Sequence, residues 1–336
     1  MKTAKYWRQG TEGKVQCGLC PHGCTVGEGK TGICRIRGVA GGELRALGYG
    51  LVSSANLDPI EKKPLYHFHP GAGIFSIGGW GCNFGCGFCQ NWTISQQAPA
   101  GGRRCGPEEV ARLAGADGSI GVAYTYNEPL VGVEFVADCA RLVRAAGRVN
   151  VLVTNGYVNP EPAAELLPWI DAMNVDIKSM DDAFYRQQCR GRLSPVLDFC
   201  VQAMRAGCHV EVTNLLIPGL NDSDAGIAAL ADWVRGNLGE KAPLHLSAYR
   251  PQYKTRIPAT PASTVRRAFD ICRQRLPYVY MGNVPTDLGQ NTECPQCRTV
   301  LIRRHGYRTA VVGVEDGKCR SCGRPVDWVL SDATAG

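Results

Sequence analysis

The sequence predicts an α/β protein built on a partial (β/α)6 barrel, with a small cysteine-rich module on either side. Three observations carry this expectation. Between about residues 72 and 284, short apolar runs alternate with longer amphipathic ones. Polar residues stand at the end of nearly every strand-like run: Asn83, Glu128, Asn155, Asp176 and Lys178, Asn214, His245. A glycine-rich loop after the first strand, "GCNFGCGFCQNW", carries Cys82, Cys86 and Cys89. The expected division is an N-terminal four-cysteine module and linker over 1–71, the barrel over 72–286, and a module like a zinc ribbon over 287–336.

The elements follow in order. "GIFSIGGWGC" reads as a strand leading into the cysteine loop, and "GPEEVARLA" as a helix with Pro107 in its first turn and two glutamates placed favourably against the dipole. "IGVAYTYNEP" is a second strand, and "LVGVEFVADCARLVRAAG" a helix with apolar residues at helical spacing and a terminal glycine. The alternation continues through "VNVLVTNG", "EPAAELLPWIDA", "MNVDIK", "SPVLDFCVQAMRAG", "HVEVTNLLIPG", "DAGIAALADWVRGNLG", "PLHLSAY", "PASTVRRAFDICRQRL" and "YVYMG". Six strand-then-helix units and one last strand result. Such units need crossover connections, hence a parallel sheet covered by helices. A doubly wound open sheet also satisfies the pattern, but it gathers only the strand ends beside its switch point, whereas a barrel gathers them all around one cavity.

The chain has 336 residues, 44% hydrophobic and 20% charged, with a net charge of +7 that is scattered along its length. That pattern fits a solvated, mildly basic surface better than a nucleic-acid stripe. No apolar run approaches the roughly 20 residues that cross a bilayer, and the first residues lack the apolar stretch of a secretory signal. The expected location is the cytoplasm, with no membrane partner. Seventeen cysteines are many for that compartment, where clustered thiols bind metal more often than they form disulfides. Eleven fall into groups: Cys17, Cys20, Cys24 and Cys34; Cys82, Cys86 and Cys89; Cys294, Cys297, Cys319 and Cys322. Cys105, Cys139, Cys189, Cys200, Cys208 and Cys272 stand alone and read as small core residues.

Thiolates suit zinc or iron–sulfur clusters. A structural zinc site is closed by four side chains, and at the middle group a fourth would have to come from afar, from His67 or His69. A cubane held by three cysteines instead leaves one iron open to a substrate or cofactor. Gly81, Gly85 and Gly87 let the loop curl around an inorganic core, and Phe84 and Phe88 would shield it from water.

"CNFGCGFC" resembles the C-x3-C-x2-C signature of radical S-adenosylmethionine (SAM) enzymes, especially the branch with the glycyl-radical-enzyme activating proteins. "VQCGLCPHGCTVGEGKTGICRIR", "DPIEKKPLYHFHPG", "YTYNEP", "DIKSMDDAFY", "TNLLIPGLND" and the terminal pair of Cys-x-x-C motifs extend the likeness from about residue 5 to 328. Together they resemble the radical SAM member of the AmmeMemoRadiSam system. The chain departs in having Trp80 before the cysteine loop and "PVDW" near its end, both matters of packing. The resemblance implies a 4Fe-4S cluster on Cys82, Cys86 and Cys89, whose vacant iron is chelated by the amino and carboxylate groups of S-adenosyl-L-methionine. It also implies reductive cleavage to a 5′-deoxyadenosyl radical, a flavodoxin or ferredoxin electron donor, and partner proteins of the Memo and Amme types. The hydrogen-atom donor is left unidentified.

Asn127 and Glu128 in "TYNEP" match a segment that binds the methionyl ammonium in the family. Asn155, Asp176, Lys178, Asn214 and His245 are candidates for the ribose, the SAM carboxylate or the substrate, and Tyr124, Tyr126 and Tyr185 are expected to be wall residues. Lys62 and Lys63 could meet an anionic substrate, or belong to a solvated linker. The C-terminal four cysteines, spaced two, twenty-one and two, read as a zinc ribbon. Its Arg298, Arg303, Arg304 and His305 form a small basic patch without the aromatic platform of a nucleic-acid surface. The N-terminal four cysteines read as a metal site for either zinc or an auxiliary iron-sulfur cluster, because thiolate tetrads serve both. Two competing functions remain: activation of a glycyl radical enzyme, and a zinc-bound adaptor or nucleic-acid-binding protein with three structural sites.

Overall fold

The computed structural model describes residues 2–329; the last seven residues of the expected C-terminal module lie outside them. One eight-stranded sheet organises the chain. Its strands are β1 (Ser54–Pro59), β2 (Gly73–Gly78), β3 (Ser119–Tyr124), β4 (Val149–Thr154), β5 (Ala172–Asp176), β6 (His209–Leu216), β7 (Leu244–Ala248) and β8 (Val279–Gly282), each paired with its neighbours in sequence. From β2 to β8 every pairing is parallel, and six helices make the crossovers: α1 (Pro107–Ala114), α2 (Val133–Ala145), α3 (Pro160–Leu166), α4 (Ser194–Arg205), α5 (Asp224–Leu238) and α6 (Ala262–Arg273). This is the predicted partial (β/α)6 barrel with a closing strand. β1 was not anticipated. It pairs antiparallel with β2, from Ser54 opposite Gly78 to Pro59 opposite Gly73, so part of the expected linker belongs to the barrel sheet.

Alternation along the strands decides which side chains enter the barrel. Ile74, Ala123, Val151 and Ala172 form an interior apolar layer, and Ile60, Leu65 and Phe68 of the segment after β1 pack into it from below. That segment is a plug. Beneath the layer, the buried Glu211 carboxylate accepts from Tyr66 N (2.9 Å) and His67 N (2.7 Å) and lies 2.6 Å from His245 Nε2. His67 in turn bonds to the Tyr280 hydroxyl at 2.6 Å.

The C-terminal module seals this floor. Its strands Thr292–Glu293, Val300–His305 and Arg308–Val311 form an antiparallel sheet around Leu301, Ile302 and Trp328. Arg304, expected in a surface basic patch, is buried instead. Its guanidinium lies over the Tyr66 ring, donates to Tyr66 O (2.7 Å) and Thr292 Oγ1 (2.8 Å), and faces Glu61. Alternation along Val300–His305 turns it inward while Arg303 and His305 stay exposed. Trp328, of the divergent "PVDW", packs edge-on against His67, and Val329 exchanges backbone bonds with His67 and His69.

The N-terminal module has two small antiparallel sheets and rests on α2 and the cysteine loop. Its anchor is Arg37. The guanidinium donates to both Glu134 oxygens (2.8 and 2.9 Å) and to Lys5 O, with both charged side chains only 2% exposed. Trp80 fills the seam together with Cys34, Ile36 and Val131.

Candidate active site

The loop that follows β2 turns at Gly81, where φ is +81° and an added Cβ would lie 2.3 Å from Cys34 O. Only glycine meets both demands. Beyond it Cys82, Cys86 and Cys89 line a cavity of about 420 Å³ at the C-terminal ends of the strands. Phe84 and Phe88 are buried beside them, Phe84 against Tyr157 and Phe88 against Phe184. Burial pushes the Cys89 thiol up to about 11 and Cys82 well above its ordinary value, so ionisation of this trio calls for a cation among them.

Asn127, Glu128, Asn155, Asp176 and Lys178 all line this cavity. Asn127 accepts from Gly79 N (2.8 Å) and donates to Trp80 O (2.9 Å) and Gly81 O (3.1 Å), which ties its amide to the backbone of the cysteine loop. The Glu128 carboxylate accepts from Leu130 N (3.0 Å), Thr154 Oγ1 (2.6 Å) and Asn155 N (2.7 Å). Burial lifts its carboxyl to about 7 against the pull of those donors. Both residues thus shape the loop through protein partners. Asn155 reaches the first of these thiols, donating to Asn83 Oδ1 (3.0 Å) and approaching Cys82 Sγ at 3.5 Å. Lys178 Nζ pairs with Asp176 at 3.0 Å. Burial disfavours its charge, but Asp176 and the nearby Cys86 and Cys189 sulfurs outweigh that and hold the ammonium form.

Asn214 and His245 are not at the cavity. Asn214 points out of the barrel and donates to Ile177 O at 2.8 Å, because its neighbours Thr213 and Leu215 take the inward positions of β6. His245 is the second residue of β7 and belongs to the floor with Glu211. The inward residues at the corresponding upper level are Thr213 and Ser247, which sequence reasoning missed. Period-two alternation counted from Glu211 and His245 would have found both. Thr213 Oγ1 is buried without a protein partner while its side chain lines the cavity, so it lacks the bond a buried hydroxyl requires.

Lys62 and Lys63 do reach the cavity from the plug. Both bind Asp58, at 2.8 and 2.7 Å, and Lys63 lies over the Tyr126 ring. Tyr126 is a wall residue. Tyr124 is buried outside the cavity against Asn150, and the Tyr185 hydroxyl accepts from Lys178 N. His67 and His69 line no part of it. Cys189, read as a solitary core thiol, hydrogen-bonds to Cys86 from the widened helical turn Tyr185–Cys189.

At the C-terminal tetrad, Cys294 and Cys322 stand 3.6 Å apart, as do Cys297 and Cys319, and all four sulfurs lie within 4.8 Å of one another. Thiolates at about 2.3 Å from one tetrahedral ion would be separated by about 3.8 Å. Hydrogen bonds from the Thr299 hydroxyl and N–H draw Cys297 down to about 6.

A parallel partial barrel thus carries three thiols in a glycine-wrapped loop at its mouth, beside a cavity at the strand ends. The chain belongs to the radical SAM superfamily, whose family profile matches residues 77–231. It is therefore an S-adenosylmethionine-dependent iron–sulfur enzyme. An uncharacterized protein of Methanocaldococcus jannaschii is 43% identical over 98% of this chain and 100% of its own length. The pyruvate formate-lyase-activating enzyme of Clostridium pasteurianum is 28% identical over 46% of this chain and 66% of its own. The (2S)-3-sulfopropanediol dehydratase activating enzyme of Klebsiella oxytoca is 27% identical over 36% and 38%. The chain thus spans less than two thirds of either activating enzyme. Among solved structures, a radical SAM methyltransferase from Sphaerobacter thermophilus shares the fold, with a TM-score of 0.51 at 18% identity over 66% of this chain and 69% of that one. The family implies a 4Fe-4S cluster and SAM, and the residues present fit both: three convergent thiols, a cavity beside them, and an unpartnered buried hydroxyl facing it. Among the described residues no helix is long and apolar enough to cross a membrane.

Proposed function

We propose that Cys82, Cys86 and Cys89 hold a 4Fe-4S cluster whose fourth iron receives the amino and carboxylate groups of S-adenosylmethionine, and that the chain is the radical SAM member of the AmmeMemoRadiSam system. The chemistry such a centre supplies when bound is reductive cleavage of S-adenosylmethionine to methionine and a 5′-deoxyadenosyl radical that abstracts hydrogen from a substrate. The observation that carries the reading is the convergence of three thiols on one cavity that also presents the unpartnered Thr213 hydroxyl. The protein's own residues bind, orient and exclude water. Phe84 and Phe88 cover the loop, Asn155 steadies Cys82, and Lys62 and Lys63, which share the single carboxylate of Asp58, leave one net positive charge on the plug side of the cavity, suited to a carboxylate. The whole-length motif resemblance supports the system assignment, with Memo-like and Amme-like proteins as partners and a flavodoxin or ferredoxin as electron donor.

Anaerobically reconstituted enzyme given dithionite and SAM is expected to form 5′-deoxyadenosine and methionine, and Cys82→Ala, Cys86→Ala or Cys89→Ala to fall to background. A colourless protein with zinc at every cysteine group would point to the adaptor reading and overturn this one. Activation of a glycyl radical enzyme is the second reading, favoured by activating enzymes among the relatives. A SAM-dependent glycyl radical signal on a co-purified partner would select it.

A further inference from the structure

The four N-terminal cysteines take no part in the reading above. Three are buried and Cys24 is half-buried. They lie in one folded loop. The loop turns back on itself: Cys17 N donates to Cys24 O at 2.9 Å, and a Cβ on Gly32 would lie 3.5 Å from Cys24 Sγ. Yet these sulfurs are not drawn together as the C-terminal four are. Among the described residues, the C-terminal tetrad alone brings three or more cysteine sulfurs within 4.8 Å of one another. Neither Cys82, Cys86 and Cys89 nor the N-terminal four bring three sulfurs within that distance of one another. Thiolates on one ion must crowd to about 3.8 Å; thiolates that each hold a different iron of a cubane cannot.

The placement of the module matters as much as its spacing. Cys34 O abuts Gly81, the residue before Cys82. Cys20 Sγ accepts a hydrogen bond from the backbone N–H of His22, and His22 Nε2 lies 2.8 Å from Asn83 O. A carbonyl only accepts, so Nε2 carries the proton. Asn83 follows Cys82 in the chain and is bonded through Oδ1 to Asn155, whose amide also approaches Cys82 Sγ. The ring of His22 is held edge-on against Tyr157, whose carbonyl accepts from Asn83 Nδ2. Two sulfurs of separate cysteine groups are thereby joined through one side chain and a few bonds.

We propose that Cys17, Cys20, Cys24 and Cys34 hold a second 4Fe-4S cluster that relays single electrons to the Cys82–Cys86–Cys89 cluster through His22 and Asn83. The relay role rests on the function proposed above; the identity of the N-terminal centre does not. An external one-electron donor of the flavodoxin or ferredoxin class reduces the N-terminal cluster from the 2+ to the 1+ state. That electron then passes to the site cluster, which goes from 2+ to 1+ while its neighbour returns to 2+. No bond forms or breaks in the transfer, and no proton moves.

The test uses full-length, anaerobically reconstituted protein. Cys82→Ala/Cys86→Ala/Cys89→Ala leaves the N-terminal module intact and is expected to keep about four irons and four sulfides per chain, with a reduced paramagnetic signal that SAM does not shift. Wild type is expected to hold twice that iron, and its fully reduced spectrum to be broadened by coupling between two spins. His22→Phe should load both clusters but slow reduction of the site cluster at least tenfold in freeze-quench measurements. A triple variant with zinc and no iron, from a wild type that still cleaves SAM, overturns the second cluster. An unchanged rate in His22→Phe overturns the relay. Failure of the site reading is distinct: wild type would then cleave no SAM and hold no more iron than the triple variant.

Discussion

Replacing Glu134 by leucine would strand a cation. Arg37 and Glu134 are each only 2% exposed, and the pair is bidentate at 2.8 and 2.9 Å from one guanidinium nitrogen, with Lys5 N adding a third donor to Glu134 at 2.7 Å. Without the carboxylate, the guanidinium keeps only the Lys5 carbonyl in a site closed to water. Breaking such a pair from one side costs about 3–5 kcal/mol, while replacing both members with apolar groups of similar volume is often neutral. Glu134→Leu should therefore destabilise the seam by about 3–5 kcal/mol, and Arg37→Met/Glu134→Leu by less than half of that. Urea denaturation gives the magnitudes. Limited proteolysis locates the loss, which should appear as release of the N-terminal module from α2 before the barrel unfolds. A double variant whose cost equals the sum of the two single costs would refute the argument, since the penalty would then lie in lost contacts rather than in an unpaired buried charge.

Gly81→Ala combines left-handed strain of about 1–2 kcal/mol with a Cβ 2.3 Å from Cys34 O. The expected result is loss of iron from the site, read by metal analysis, with the barrel's circular dichroism retained. Cys189→Ala should keep the site iron, because Cys189 is a hydrogen-bonding neighbour of Cys86 and is not counted among the ligands; loss of the cluster would make it one. Cys319→Ser should lower bound metal by one equivalent and open the chain to protease beyond about residue 290, as the metal supplies much of a small module's folding energy. His67 is fully buried, and burial depresses its imidazole to about 3. The unfolded chain takes up a proton near pH 6.5 that the native chain refuses, so stability is present above that pH and falls on acidification toward pH 3. The slope is up to about 1.4 kcal/mol per pH unit. His67→Phe should flatten it, as pH-dependent urea midpoints would reveal; an unchanged slope would assign the effect elsewhere.

The barrel was legible because its strands are apolar on both faces and its helices carry long amphipathic stripes, signals that depend on nearest neighbours only. β1 was not. "SANLDP" is half exposed and joins the sheet through backbone bonds to β2, which leave no mark in side-chain pattern. The cysteine loop stood out by its spacing, its cluster being implied only by the family resemblance, and Asn155, Asp176 and Lys178 do line the same cavity. The errors were of phase and depth. On β6 the amide of Asn214 drew attention from Thr213 one residue earlier, although a shift of one reverses the face. His245 faces inward as expected but sits too low, since facing gives no height along the barrel. Arg304, Cys189 and the plug at Ile60–Phe68 owe their places to partners tens to hundreds of residues away, and no local window contains them.

The floor of the barrel has a bearing on how this protein is made. Tyr66, Glu211 and Tyr280 meet there, and the lid beneath them is Arg304, Trp328 and Val329. Synthesis proceeds from the other end, so the plug and the cysteine loop leave the ribosome more than two hundred residues before Arg304, Trp328 and Val329. The nascent chain thus has its plug before it has its lid, and the floor around Glu211 stays uncovered from beneath until Arg304, Trp328 and Val329 have emerged.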